Sequence, residues 1–344
     1  SSAEGLYVAL PGDRSVEEYH FEDASHGHNL KLLPDLSLLE PFGEGDNART
    51  AGFVQASLVE PHLSDVEVAK FKTITPDAIR EYLERYAGVK PLDGATGVKL
   101  NSRHIQSNEI SLVTEALAKD LIQIGGGDFQ VGMDRFVHEG RELDNVAAEL
   151  QGNGSDEIVL ITAHLDSTSA SSHQSGDYHP DSDPAPGADD DASGIAAVLA
   201  IAAVIQQLAS VTPPKRNIRF VLFNAEEHGL VGSQAYAKNQ SAIAAPIVGV
   251  YQMDMVGYNA NLQSPQIYTQ PDPAEGRSDH ASFHQRGYAA CVTSEDFFAG
   301  PLPTSPTAEP NPNYHKERDT FVDFDYAADI ARLVGAAAWL TANL

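Results

Sequence analysis

The chain has one cysteine, Cys291, in 344 residues. An intrachain disulfide and a thiolate metal cluster are both excluded, and the redox compartment stays open. Basic residues are also scarce: 22 Lys+Arg against 49 Asp+Glu give a formal net charge of −27. That balance argues against nucleic acid and against anionic membrane surfaces, which are bound through basic patches. It is also a balance that keeps secreted or salt-exposed proteins soluble. A long apolar run is missing too. The longest, Ile195 to Ile205, falls well short of the roughly 20 residues needed to span a bilayer. No basic stretch leads into an apolar one at the start, and Ser1-Ser2-Ala3-Glu4 reads as a processed N-terminus.

The length accommodates one large domain and a smaller segment. Residues 1–72 hold short mixed stretches broken by Pro11, Pro34, Pro41 and Pro61, and His20, His26 and His28 lie there without a regular ligand spacing. They read as a small, irregular N-terminal extension, with the main domain over 73–344. From Thr75 the pattern is helical: Thr75 caps, Pro76 opens, and Ile79, Tyr82, Leu83 and Tyr86 share a face. A second helix is predicted over Asn108 to Ile124, then strands over Phe129 to Val137 and Asn145 to Leu150. The centre alternates strand and helix: Ile158–Ala163, a helix from Ser193 to about Ser210, Ile218–Phe223, a helix near Leu230 to Lys238, and Ile247–Met253. A last helix is predicted from Tyr326 to Leu340. Such alternation predicts an α/β fold with a mostly parallel, mixed central sheet covered by helices on both faces.

In such sheets, sites form beyond the carboxyl ends of the strands. His164-Leu165-Asp166 follows the first central strand, Asn224-Ala225-Glu226-Glu227-His228 the second, and Asp254-Met255 the third. The central helix opens on Asp189-Asp190-Asp191. Alone, that triplet is equally an acidic turn capping a helix. Alongside the strand-end residues it completes a His/Asp/Glu set, free of cysteine, that suits zinc or another divalent first-row ion. Two histidines and three carboxylates suffice for two metals sharing one carboxylate, with Glu226 and Glu227 able to divide the roles of base and ligand.

Taken together, Thr162 to Ser167, Pro186 to Gly194, Ala225 to Gly229, Gln252 to Met255, Ser278 to Phe283 and Asn311 to His315 resemble the ordered motifs of the M28 metallopeptidase family. The nearest likeness is to the secreted bacterial leucyl-type aminopeptidases, and it runs from about residue 73 to the C-terminus. The resemblance implies a zinc-peptidase fold and a monomeric, extracellular bacterial enzyme that removes an apolar, leucine-like N-terminal residue from peptides. It implies two Zn2+ per chain: His164 and Asp254 on one, Glu227 and His315 on the other, Asp190 bridging. Glu226 would be the general base on the zinc-bound water, and Asp166 would orient His164. A cis peptide bond is implied at Asp190–Asp191, and Met255 matches a pocket residue, with Tyr268, Phe297, Phe298 and Tyr314 as wall residues by position. The extension over 1–72 is then either a retained pro-segment or a subdomain adding buried surface.

The chain departs from those relatives in two places: only Thr269 to Arg277 precede Ser278-Asp279-His280, and a disulfide pair is lacking there. The alternatives are an M28-type carboxypeptidase, which reads a C-terminal carboxylate with arginines, and a glutaminyl cyclase, a one-zinc transferase that lacks the equivalent of His164 as a ligand.

Overall fold

A computed structural model describes residues 62–93, 97–173, 177–259, 277–295 and 311–344, and the backbone of 266–268. The fold is built on a seven-stranded mixed sheet in the order β1-β2-β4-β3-β5-β7-β6. Its strands are β1 (Phe129–His138), β2 (Arg141–Leu150), β3 (Ile158–His164), β4 (Asn217–Phe223), β5 (Ile247–Met253), β6 (Gln266–Tyr268) and β7 (Ala290–Ser294). The central strands β4, β3, β5 and β7 run parallel. The β1–β2 hairpin joins antiparallel on one side and β6 on the other.

Strand β3 is buried along its whole length. Its alternate residues serve two cores, as the two-residue period of a strand dictates. Val159, Ile161 and Ala163 pack with Ile79, Leu117, Ile195 and Ile330. Ile158 and Leu160 pack with Tyr236 and Phe283 on the other face. The first layer comprises α1 (Asp65–Phe71), α2 (Pro76–Tyr86), α3 (Ile110–Gly125), α4 (Ala192–Ala209) and α7 (Phe324–Ala342), and the second α5 (Val231–Ala242) and α6 (His280–His284). By length and composition α4 could cross a bilayer, yet it lies buried against β3, α2, α3 and α7 as the central helix of the core.

The predicted central elements are present, and the differences have local causes. Strand β2 starts at Arg141, four residues before the predicted start, because His138 pairs with Arg141 across a two-residue turn. Glu139 and Gly140 both take positive φ there, 49° and 77°, the twist that tight hairpins require. Helix α6 and strand β7 span five residues each, too short for a periodic pattern. Helix α1, inside the predicted extension, has a reciprocal cap between Ser64 and Glu67 and packs on α4 and α7. Residues 1–61, with His20, His26 and His28, lie outside the described residues.

Candidate metal centre

Parallel strands deliver their C-terminal ends to one rim, and the chemistry-bearing residues collect there. His164 is the last residue of β3, Asp254 directly follows β5, and Glu226 and Glu227 lie in the turn after β4. Asp190 precedes α4, and His315 comes from the segment before α7. All six side chains are buried.

Asp190 stands between the two histidines. Its Oδ1 lies 3.0 Å from His164 Nε2 and its Oδ2 3.2 Å from His315 Nε2. On the far side of His164, Asp254 Oδ1 is 3.5 Å from the same Nε2; on the far side of His315, Glu227 Oε2 is 2.7 Å away. Two donor sets result, His164–Asp190–Asp254 and Asp190–Glu227–His315, each with its atoms within 4.8 Å of one another. Asp190 belongs to both. Glu226 also falls in range of His164 and Glu227, so distance alone leaves either glutamate able to bind. The pairing of Glu227 with His315 separates them.

The residues fit a metal. Among the described residues, none donates a hydrogen bond to either carboxylate oxygen of Asp254, although the residue is fully buried. A buried carboxylate in that condition is costly unless a cation faces it. Imidazole and carboxylate donors without sulfur match zinc.

The supporting shell divides the aspartate triplet. Asp191 caps α4 by accepting from the Gly194 N–H at 2.8 Å, and its other oxygen accepts from the His164 N–H at 3.1 Å. Asp189 faces away, accepting from the Gly257 N–H at 2.8 Å and from Asn311 Nδ2 at 2.6 Å. The Asp190–Asp191 peptide bond is cis. Asp166 Oδ1 lies 3.6 Å from His164 Nδ1, too far for a hydrogen bond. Its carboxylate instead accepts from the N–H groups of Glu226 and Glu227, at 3.0 and 3.2 Å, and so sets the turn that carries both. Ala225, Met255 and His315 adopt positive φ of 57°, 51° and 54°, three non-glycine residues in the left-handed region at three of the turns that carry the clustered side chains. Such backbone clusters at sites that need a particular aim.

Met255 and Tyr314 are buried and pack together with Val292 beside the centre, and the Tyr314 ring stacks on His315 with centroids 3.6 Å apart. Tyr268 pairs through its backbone with Val292 of β7. Phe297 and Phe298 lie outside the described residues. Sequence reasoning missed Asp319, whose buried carboxylate accepts from the Asp189 and Asp190 N–H groups at 3.2 and 3.0 Å. It also missed Arg103, fully buried beneath the triplet. Neither stands at a strand end, where the pattern directs attention.

Electrostatics follow from burial and crowding. Burial opposes charge on both histidines, but the surrounding carboxylates win: His164 lies well above the usual histidine range, and His315 is pushed up to about 10. Burial would raise Asp190, but the two histidines hold it below the usual carboxylate range. Glu227 is raised to about 7 by burial and by Asp190, and burial lifts Glu226 further. In chelator-treated protein both histidines therefore carry protons at neutral pH, and a metal must displace them. Zinc binding is expected to release about two protons or more per chain at pH 7, and apparent affinity to rise with pH up to about the His315 value of 10. Calorimetry in buffers of different ionisation enthalpy measures this; binding without proton release would contradict it.

The description "Peptidase family M28" belongs to the family model that matches residues 145–270. A probable leucine aminopeptidase 1 of Trichophyton verrucosum is 30% identical over 226 residues, covering 55% of this chain and 56% of that protein. The chain thus spans about half the length of this curated relative. The LapA aminopeptidase of Legionella pneumophila superposes with a TM-score of 0.66 at 21% identity, over 83% of this chain and 76% of that one. A glutaminyl cyclase of Bacteroides thetaiotaomicron superposes at 0.55 with 18% identity, over 76% and 97%. These two likenesses establish the fold, which a hydrolase and a cyclase share. The matched segment supplies His164, Asp190, Glu226, Glu227 and Asp254, and it is over this central part of the chain, residues 145–270, that the likeness to peptidase family M28 runs.

Proposed function

We propose that the protein is a metal-dependent aminopeptidase that removes an apolar, leucine-like N-terminal residue from peptides, with two zinc ions per chain. The observation that carries the reading is Asp190, whose two oxygens face different histidines, each flanked by a further carboxylate. Held by His164, Asp190 and Asp254 and by Asp190, Glu227 and His315, zinc would polarise the scissile carbonyl and acidify the attacking water. Glu226, buried beside His164 and Glu227, would take a proton from that water and return it to the leaving amine. Asp166 holds the backbone of both glutamates in place. The carboxylates of the centre favour a cationic substrate amino terminus, and the apolar surface of Met255, Val292 and Tyr314 receives the first side chain. The buried Arg103 guanidinium donates to backbone carbonyls, so it is not presented to a substrate carboxylate as a carboxypeptidase would require. The net charge of −27 favours an extracellular, monomeric protein.

The test compares leucyl anilide, its N-acetylated form and an N-terminal glutaminyl peptide, each with and without chelator. Hydrolysis of the free-amine substrate alone, abolished by chelation and restored by zinc, is expected. Hydrolysis of blocked peptides alone would indicate a carboxypeptidase, and ammonia release with ring closure would indicate a cyclase.

A further inference from the structure

Arg103 is fully buried, and among the described residues its guanidinium donates to backbone carbonyls alone. Nε donates to Leu165 O at 2.9 Å; Nη1 donates to Tyr86 O at 2.8 Å and to Pro186 O at 2.6 Å. Nη2 donates to Gly187 O at 2.9 Å and, at the limit of a hydrogen bond, to Asp190 O at 3.5 Å. One side chain thereby ties the end of α2, the residue after His164, and the turn that carries the bridging aspartate. The packing is close: a Cβ on Gly187 would lie 2.9 Å from Arg103 Nη2 and 2.1 Å from Asp190 O, so the turn admits glycine there and the guanidinium fits flush beneath it. Asp191, Asp319, Asp190 and Asp166 all act on the Arg103 charge. The cation is thus placed to offset a crowded set of buried carboxylates without pairing to any of them.

We propose that Arg103 is a positioning residue for the metal centre: by holding the Leu165, Pro186, Gly187 and Asp190 carbonyls together it fixes His164 and Asp190 at the separation that lets them share an ion. Planarity and multiple donors in fixed directions are what the role needs, and lysine, a single-point donor, cannot reproduce them. The inference rests on the metal reading of the centre, and its test separates the two.

Zinc affinity of folded Arg103→Lys and Arg103→Gln is measured by competition with a chromophoric chelator, alongside the thermal midpoint and the visible spectrum of the cobalt-substituted forms. Loss of an outer contact to metal ligands typically weakens metal binding 10–100-fold. That loss is expected in both variants, with an altered cobalt spectrum, and lysine is expected not to rescue it. A lowered thermal midpoint with wild-type zinc affinity and spectrum would reduce Arg103 to a structural tie and overturn the proposal. If neither variant folds, the Arg103 Nε–H resonance of the wild type is followed during zinc titration. A shift that tracks loading supports the link, and a resonance indifferent to zinc overturns it. A wild type that binds no zinc defeats the metal reading itself.

Discussion

Glu226→Gln is expected to lower kcat on a leucyl anilide by about 10²–10⁴, the range for loss of a general base, while zinc content stays as in the wild type. The substitution is informative because Glu226 lies within ligand range of His164 as well as in the position of a base. Glutamine keeps the size of the side chain and removes its ability to take a proton. Were Glu226 a ligand, zinc would be lost in proportion to activity. Were it a passive wall, activity would persist. Burial works against the charged form of this carboxyl, so removing the charge should leave the thermal midpoint unchanged or raise it. Activity lost, metal kept and stability not lowered is the expected pattern; full activity would remove Glu226 from the mechanism.

Asp190→Ala should be comparably severe for a different reason. Its two oxygens serve the two donor sets, so alanine leaves each set one ligand short. If the proposed pair of zinc ions is bound, zinc should fall to half the wild-type content or less by metal analysis, and kcat/KM should drop by at least about 10², as expected when a metal pair no longer clamps the reacting oxygens. Asp189→Asn is the comparison. Asp189 accepts from Gly257 and Asn311, away from the histidines, and the variant should lose about 1–3 kcal/mol of stability with zinc stoichiometry intact. Denaturant unfolding and metal analysis of the two variants together decide the matter. Equal zinc content in both would return the triplet to a simple acidic turn.

The central sheet was legible because strand ends, apolar runs and helix starts all coincide there: the predicted Ile247–Met253 strand is β5, and Asp191 caps α4 as the triplet predicts. The gathering of His164, Glu226, Glu227 and Asp254 was legible because parallel strands deliver their C-terminal ends to one rim. The rest was hidden for physical reasons. Arg103 and Asp319 act through backbone carbonyls and amides, contacts that any sequence could offer. Asp166 was expected at the His164 ring and its Oδ1 does lie 3.6 Å from Nδ1, but it also accepts from the two glutamate N–H groups, a second engagement that spacing does not reveal. Helix α1 carries its own capping signal in Ser64 and Glu67, but seven residues give it too little period to stand out from the proline-broken stretch before it. The short stretch from Thr269 to Arg277 falls mostly outside the described residues.

The donors of the centre come from separate turns scattered from residue 164 to residue 315, and the last of them lies beyond the segment that matches the family. The His164–Asp190–Asp254 set needs β3, the turn before α4 and the end of β5 together, and the Asp190–Glu227–His315 set is complete only when the segment leading into α7 has docked as well. Long-range closure of this kind is slow, because the entropy of joining distant parts is lost before the contacts form. Zinc would therefore arrive late in folding and bind the finished state far better than the unfolded chain. It would then act as a thermodynamic lock, adding about 4 kcal/mol when free ion exceeds its dissociation constant a thousandfold. The same ions that serve the reaction would thus set the lifetime of the folded protein, and a chelating environment would shorten it.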